Sequence, residues 1–283
     1  MTPGTTPARL RCDGTVTANA AVSDGLLRLD ARLDLPVDFH PGQFAMLNLV
    51  GRDALVFSRP FSILSVAGQV VSFLYRVVGR GTAALAALAP GDRLNFLGPL
   101  GRPFPEPLPA APAVLVAGGV GLPPLFAWWE RHHGPDDVAC FGARDGRDVP
   151  WDLLGADWAV SVDEPTGVPD LHTAWHGVVT ALAAERTLTL PGPRTLMACG
   201  PVPLLQAAAE LARERGWPCW LSLEEHMGCG YGVCKGCVVP VLAPEQESGW
   251  RNATCCDEGP VFRADAIAWD RYLGAPPARN AEI

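Results

Sequence analysis

Apolar and polar residues alternate in short runs through the first hundred positions, and turn dipeptides separate the runs. Gly25–Arg32, Gln43–Leu49, Val70–Val78 and Arg93–Leu97 alternate or are rich in β-branched side chains, while Pro41-Gly42, Ala67-Gly68, Pro90-Gly91 and Gly98-Pro99 punctuate them. A period of two predicts strands, and many short strands with regular turns predict a small antiparallel β-barrel. Ala83–Leu88 predicts one short helix inside it. The stretch 102–112 carries five prolines and reads as a linker.

The pattern then changes. Ala113–Ala117 is a continuous apolar run, predicting a buried strand, and Leu122–His133 predicts a helix. Val138–Ala143, Ala159–Val162 and Thr195–Ala198 predict further strands, and Pro201–Arg215 a further helix. Such alternation predicts a parallel sheet with helices on its faces. From about Pro218 the chain is loop-rich, and the tail 274–283 reads as frayed. The fold class expected is therefore α/β plus all-β, in three units: a barrel over 1–108, a nucleotide-binding α/β domain over 109–217, and a loop-rich module over 218–283.

Composition removes several functions. The 283 residues carry a net charge of −8, which argues against wrapping a nucleic-acid backbone, since that needs a basic face. No run approaches the ~18 apolar residues of a membrane span, and the Thr/Pro-rich start lacks the basic and apolar parts of a signal peptide. The expected location is the cytoplasm, where disulfides are rare. Nine cysteines then need another role. Five of them, Cys229, Cys234, Cys237, Cys255 and Cys256, fall within 28 positions, pointing to metal or iron–sulfur ligation.

The cluster reads Cys229-x4-Cys234-x2-Cys237 with a later Cys, the plant-type [2Fe–2S] spacing. Two irons need four thiolates, and three come from one glycine-rich loop that curls closely around them. Zinc sites use two close Cys pairs or Cys/His sets, and a second such pair is missing here. Spacing alone leaves Cys255 and Cys256 both open as the fourth ligand. His226 beside the loop raises a Rieske-type alternative that the cysteines make unnecessary. His132 and His133, at a helix end, read as solvated.

Two weaker signals precede the cysteines. Ser58–Ser62 (SRPFS) precedes a strand predicted from Ile63, and its Arg and Ser suit a phosphate and a flavin ring edge. Leu74–Thr82 (LYRVVGRGT) follows, and Gly81-Thr82 offers backbone N–H groups to a pyrophosphate. AVLVAGGVGLPPLF then joins a strand to a helix through Gly118, Gly119 and Gly121. It departs from the G-x-G-x-x-G fingerprint, with Pro124 at the last position, yet still aims amides and a helix N-terminus at a phosphate. Cys199-Gly200-Pro201 ends a predicted strand, where open α/β sheets bind ligands. An acidic residue ending the second strand would favour NAD; residues 142–145 supply both Arg144 and Asp145.

In order and spacing these motifs resemble the ferredoxin–NADP⁺ reductase superfamily, and most closely its electron-transfer subunits of B-type dihydroorotate dehydrogenase. The likeness rests on RPFS (59–62), LYRVVGRGT (74–82), GGVGLPPLF (118–126), CGP (199–201), SLEEHMGCGYGVCKGC (222–237) and CDEGPVF (256–262). It implies that Arg59, Pro60, Phe61 and Ser62 hold FAD, with Leu74, Tyr75, Arg76, Gly81 and Thr82 near its ribityl and pyrophosphate parts. It implies an NAD site at Gly118, Gly119, Gly121, Gly200 and Pro201, with Cys199 by the nicotinamide. It makes Cys256 the fourth cluster ligand, three residues before the Gly of GPVF. The loop 163–170 departs from the Gly/Ser-rich acidic loop of relatives.

The resemblance further implies a partner, an FMN-containing dihydroorotate dehydrogenase catalytic subunit, in a heterotetramer of two plus two. Tyr231 and Trp250 are expected as exposed aromatics at that interface. NADH exchanges a hydride and a [2Fe–2S] cluster one electron, so a flavin between them makes one working set. Rival readings are a subunit of a ferredoxin oxidoreductase, sulfite reductase or hydrogenase-type complex, and a zinc-stabilised binding module without flavin.

Overall fold

A computed structural model of the protein describes residues 9–50, 58–108, 110–169 and 174–274; of the tail expected to fray over 274–283, Gly274 ends a helix and 275–283 lie outside the described residues, as do the first eight. Six antiparallel strands close a barrel in the order β1-β2-β5-β4-β3-β6. They are β1 (Leu10–Ala21), β2 (Leu27–Leu33), β3 (Phe44–Leu49), β4 (Arg59–Ala67), β5 (Val70–Tyr75) and β6 (Arg93–Leu100), with helix α1 (Arg80–Ala86) between the last two. Alternation explains the closure. Leu29, Ala31 and Leu33 of β2 and Ala45, Leu47 and Leu49 of β3 fill the barrel interior with Ile63, Phe73 and Phe96.

The second layer system is a seven-stranded sheet of order β10-β9-β8-β7-β11-β12-β15. It runs β7 (Ala113–Gly118), α2 (Leu122–His132), β8 (Val138–Asp145), α3 (Trp151–Leu154), β9 (Trp158–Glu164), β10 (Ala174–His176), α4 (Val179–Arg186), β11 (Thr195–Cys199), α5 (Val202–Arg215) and β12 (Cys219–Ser222). The central strand β7 is buried on both faces, as parallel strands under helices must be. Val114 and Val116 pack toward α4 and α5, while Leu115 and Ala117 pack toward α2. The rest comprises β13 (Val238–Leu242), β14 (Trp250–Thr254), α6 (Cys255–Glu258), β15 (Val261–Arg263) and α7 (Trp269–Gly274). β13 and β14 form their own hairpin, and β15 adds antiparallel to β12. The stretch read from sequence as the third unit therefore gives two strands to the sheet.

Two apolar cores join the parts. Leu26, Leu64 and Leu74 of the barrel pack with α2 and one sheet face. Phe44, Met46 and Leu100 project outward from the barrel into a core shared with α4, α5, Cys237, Cys255 and Cys256.

Several local expectations are corrected. The strand expected over Val70–Val78 stops at Tyr75, because its ladder partner β2 begins at Leu27, opposite Tyr75. The helix expected at Ala83–Leu88 starts at Arg80, since the Thr82 hydroxyl accepts from the N–H groups of Val78 and Gly79 and closes the first turn early. RPFS lies on β4 rather than before it. The proline-rich stretch is packed: Phe104 is buried, Arg102 donates its N–H to the Gly259 carbonyl at 2.5 Å, and the Trp128 indole donates to the Pro105 carbonyl at 3.0 Å. His132 and His133 are held too, since His133 stacks on Trp129 at 4.6 Å and burial lowers the pKa of His132.

Candidate functional site

The thiols of the C-terminal loop come together in two pairs. Cys229 and Cys234 contact each other near the surface, and Cys237 and Cys256 contact each other in the interior. Backbone amides point at the sulfurs. Gly232 donates to Cys256 Sγ at 3.1 Å, Cys234 to Cys229 Sγ at 3.4 Å and Cys256 to Cys237 Sγ at 3.4 Å. Burial opposes ionisation of Cys229, yet the N–H groups of Cys234, Tyr231 and Val233 bring its thiol down to about 6. Burial and the Cys237 thiol push Cys256 up to about 12. Among the described residues no group of three or more His, Cys, Asp or Glu side chains is placed to hold a metal ion. The two dithiol pairs fit the donor set that a two-iron cluster needs, two thiolates per iron.

Cys255 is set apart from the pairs. Its side chain is fully buried, its thiol donates toward the Leu223 carbonyl at 3.6 Å, and burial raises its pKa well above the usual thiol value. The geometry thus turns Cys256 inward to Cys237 and Cys255 away.

The loop between Cys229 and Cys234 rests on the barrel. Gly230 has φ +82°, a conformation that disfavours any side chain. A β-carbon there would overlap Met46 Cγ and lie 2.7 Å from Met46 Sδ and 3.3 Å from Leu100 Cδ1. Met46 on β3 pairs with Pro60 on β4, so one strand separates the cysteine loop from the RPFS motif.

RPFS forms a half-buried edge. Phe61 turns into the barrel edge-on to Phe73 and Tyr75 at 6.4 and 6.1 Å. Arg59 lies across Gly81 at the start of α1, so closely that a β-carbon on Gly81 would collide with its guanidinium. This joins the two sequence motifs around one cradle, with the first-turn N–H groups of α1 beside it. Arg76 pairs with Asp148 of the sheet domain at 3.4 Å. The side chains of Leu74 and Tyr75 are buried, and the Tyr75 hydroxyl donates to Asn19 at 2.8 Å. Any ligand contact from these two therefore comes through backbone.

The glycine loop and the CGP segment meet backbone to backbone. A β-carbon on Gly121 would collide with the Cys199 carbonyl and lie 2.7 Å from Gly200 N, and one on Gly118 would lie 2.6 Å from Leu204 and 3.3 Å from Pro201. Gly119 adopts φ +53° with open space around it. The Cys199 thiol stands at the C-terminal end of β11, beside Ser222 on the next strand; burial drives it up to about 12 against the Ser222 hydrogen bond, so it stays a neutral thiol. Pro123 and Pro124 leave the first turn of α2 with fewer N–H donors than an ordinary phosphate-binding helix, though the dipole remains. Asp145 ends β8 but accepts from the Arg147 backbone N–H at 2.9 Å and its guanidinium at 2.8 Å, whereas Arg144 is exposed.

Residues 224–268, which hold both thiol pairs, match the family described as the iron-sulfur cluster binding domain of dihydroorotate dehydrogenase B. The dihydroorotate dehydrogenase B (NAD(+)) electron transfer subunit of Geobacillus thermodenitrificans is 37% identical over 236 residues, covering 80% of this chain and 86% of that one. The subunit of the same name from Bacillus velezensis is 32% identical over 265 residues, covering 90% and 97%. This chain belongs to the family of dihydroorotate dehydrogenase B electron transfer subunits. Its fold agrees: a chain of the NADH-dependent reduced ferredoxin–NADP oxidoreductase superposes with TM-score 0.76 at 23% identity, covering 96% of this chain and 93% of that one. The ferredoxin reductase of carbazole 1,9a-dioxygenase superposes with TM-score 0.64 at 24% identity, over 74% and 67%.

Sequence reasoning missed Met46, Asn19 and Asp148, which look like ordinary barrel or turn residues until the tertiary contacts place them. Of the two aromatics expected at the surface, Tyr231 is 42% exposed, but Trp250 is half-buried beneath the Arg271 guanidinium, 5.2 Å from its ring centroid.

Proposed function

We propose that this chain carries electrons between NAD⁺ and the FMN of a dihydroorotate dehydrogenase catalytic subunit in pyrimidine biosynthesis, with FAD and a [2Fe–2S] cluster as its resident cofactors. The observation that carries the reading is the position of the two thiol pairs, one strand from RPFS. Bound there, the flavin supplies conversion between hydride and single-electron transfer, and the cluster supplies single-electron transfer.

The chain's own residues do the rest. Cys229, Cys234, Cys237 and Cys256 ligate the irons, and the amides of Gly232, Cys234 and Cys256 set the potential through N–H···S bonds. Arg59, Pro60, Phe61 and Ser62 hold the flavin, Arg76 and the amides of Gly81 and Thr82 meet its phosphates, and the backbone of Leu74 and Tyr75 lines its edge. Gly118, Gly119, Gly121, Gly200 and Pro201 hold the NAD(H) backbone. Cys199, neutral at its working pH, orients the nicotinamide. The half-buried Cys229 and exposed Cys234, with Tyr231 and Val233 beside them, face the partner subunit in a two-plus-two heterotetramer. Among the described residues no helix is long and apolar enough to cross a membrane, and we place the complex in the cytoplasm.

The test is a Cys234→Ser variant purified with the catalytic subunit. It is expected to keep flavin absorbance and NADH-driven ferricyanide reduction but to lose dihydroorotate-driven NAD⁺ reduction. Full orotate formation coupled to NAD⁺ in that variant would refute the route.

A further inference from the structure

Met46 has no part in any motif, yet its side chain meets the cysteine loop and its backbone pairs with the RPFS strand, the two halves of the proposed electron route. β3 alternates its faces, sending Ala45, Leu47 and Leu49 into the barrel and Phe44 and Met46 outward to the core that contains Cys237 and Cys256. Its partners across the ladder are Pro60 of the RPFS strand and Leu97. Residues directly opposite in an antiparallel pair share a face, about 5 Å apart, so the Met46 side chain runs beside Pro60. On its other side it supports Gly230, the residue after Cys229, at a separation that admits no β-carbon. Met46 is buried to 1% exposure, so no water intervenes at that contact.

We propose that Met46 is a positioning residue for electron exchange between the cysteine loop and the flavin strand: it fixes their spacing and fills the gap with a dense, polarizable thioether. The inference rests on the proposed FAD and [2Fe–2S] sites. One electron moves between the two groups, with no bond made or broken in the protein. Packing is what keeps this spacing, because a deleted side chain leaves a cavity that its surroundings close only in part.

The experiment uses the holoenzyme with its catalytic subunit and compares wild type, Met46→Ala, Met46→Leu and Gly230→Ala. Iron and flavin content, the EPR line shape of the reduced cluster, and the rate at which NADH bleaches the cluster absorbance are read on each sample. Met46→Ala and Gly230→Ala are expected to slow the bleaching several-fold in the molecules that retain iron and flavin. Their cluster EPR signal is expected to lose part of its spin–spin broadening by the half-reduced flavin, and Met46→Leu to recover most of both. Wild-type bleaching and broadening in iron-replete Met46→Ala or Gly230→Ala would overturn the proposal. Where one of these variants loses its iron, the other decides between the two outcomes; loss of the cluster in both, with Met46→Leu also deficient in iron, assigns Met46 to cluster retention and overturns it. If wild type itself bleaches no cluster with NADH, the functional reading fails rather than the role of Met46.

Discussion

Replacing Gly121 by alanine isolates the contact between the glycine loop and the CGP segment, where we propose NAD(H) binds. Gly121 has φ −76° and ψ −2°, so alanine suits its backbone, and the cost is purely steric. The new β-carbon would meet the Cys199 carbonyl and lie 2.7 Å from Gly200 N. These are backbone atoms that cannot rotate aside, so the glycine loop and the CGP segment must separate. Overpacking of this kind costs about 1–3 kcal/mol, which lowers Tm by roughly 2–12 °C in a chain of this size. If the separation also removes one hydrogen bond to a phosphate, worth ~1.5–3 kcal/mol, NADH binding weakens roughly ten- to a hundredfold. Gly216→Ala, at the end of α5 and outside both segments, is the control, since its φ of +67° in open space imposes only a conformational cost of about 1–2 kcal/mol. Scanning calorimetry and NADH titration of flavin-replete protein read both effects. A Gly121→Ala variant that melts and binds NADH like wild type would show that the two segments do not need this approach.

Three further outcomes are expected. Cys256→Ser should lose the visible iron–sulfur absorbance while Cys255→Ser keeps about two irons per chain, as the ligand count implies; the reverse result would move the fourth ligand to Cys255. Gly81→Ala should displace Arg59 and lower the flavin-to-protein ratio after purification, and an unchanged ratio would detach Arg59 from flavin binding. Burial raises the pKa of Glu225 above its usual 4.5, the Tyr272 hydrogen bond and His226 pulling it back only in part. A carboxyl with a raised folded value holds more protons in the native state, so its contribution is present below 4.5 and is lost as pH rises through the folded value. Glu225→Gln should therefore melt higher than wild type at pH 7 and show a flatter decline across that window; identical pH profiles would count against the buried carboxyl.

The resemblance and the C-x4-C-x2-C spacing were visible in the chain because ligand spacing in one loop is a local property. Barrel and sheet were legible for a similar reason: a strand that buries one face alternates, and one that buries both is continuously apolar. β1 escaped, since the alternate positions of Leu10–Ala21 are filled largely by small residues, Gly14, Ala18 and Ala20, which give a weak apolar signal, and the strand borrows apolar neighbours from β2 and β6. β12 and β15 were hidden in a segment dominated by cysteines and turns. The choice between Cys255 and Cys256 illustrates the divide. Adjacent cysteines are equivalent in spacing; the resemblance pointed to Cys256, and the packing of α6, which buries one thiol on Leu223 and turns the other to Cys237, supplies the physical reason.

The sequence by itself marked the chemistry proposed for the protein: a cysteine cluster with [2Fe–2S] spacing, two nucleotide-type loops and their order along the chain, each encoded within a few consecutive residues. Tertiary structure decided how those pieces meet. Gly121 against Cys199, Arg59 across Gly81, and Gly230 on Met46 beside Pro60 are contacts between segments from about twenty to nearly two hundred positions apart. The first exists because β7 and β11 are neighbours in the sheet, the last because β3 has one face inside the barrel and the other in the shared core, and no local pattern records which distant segment will meet which.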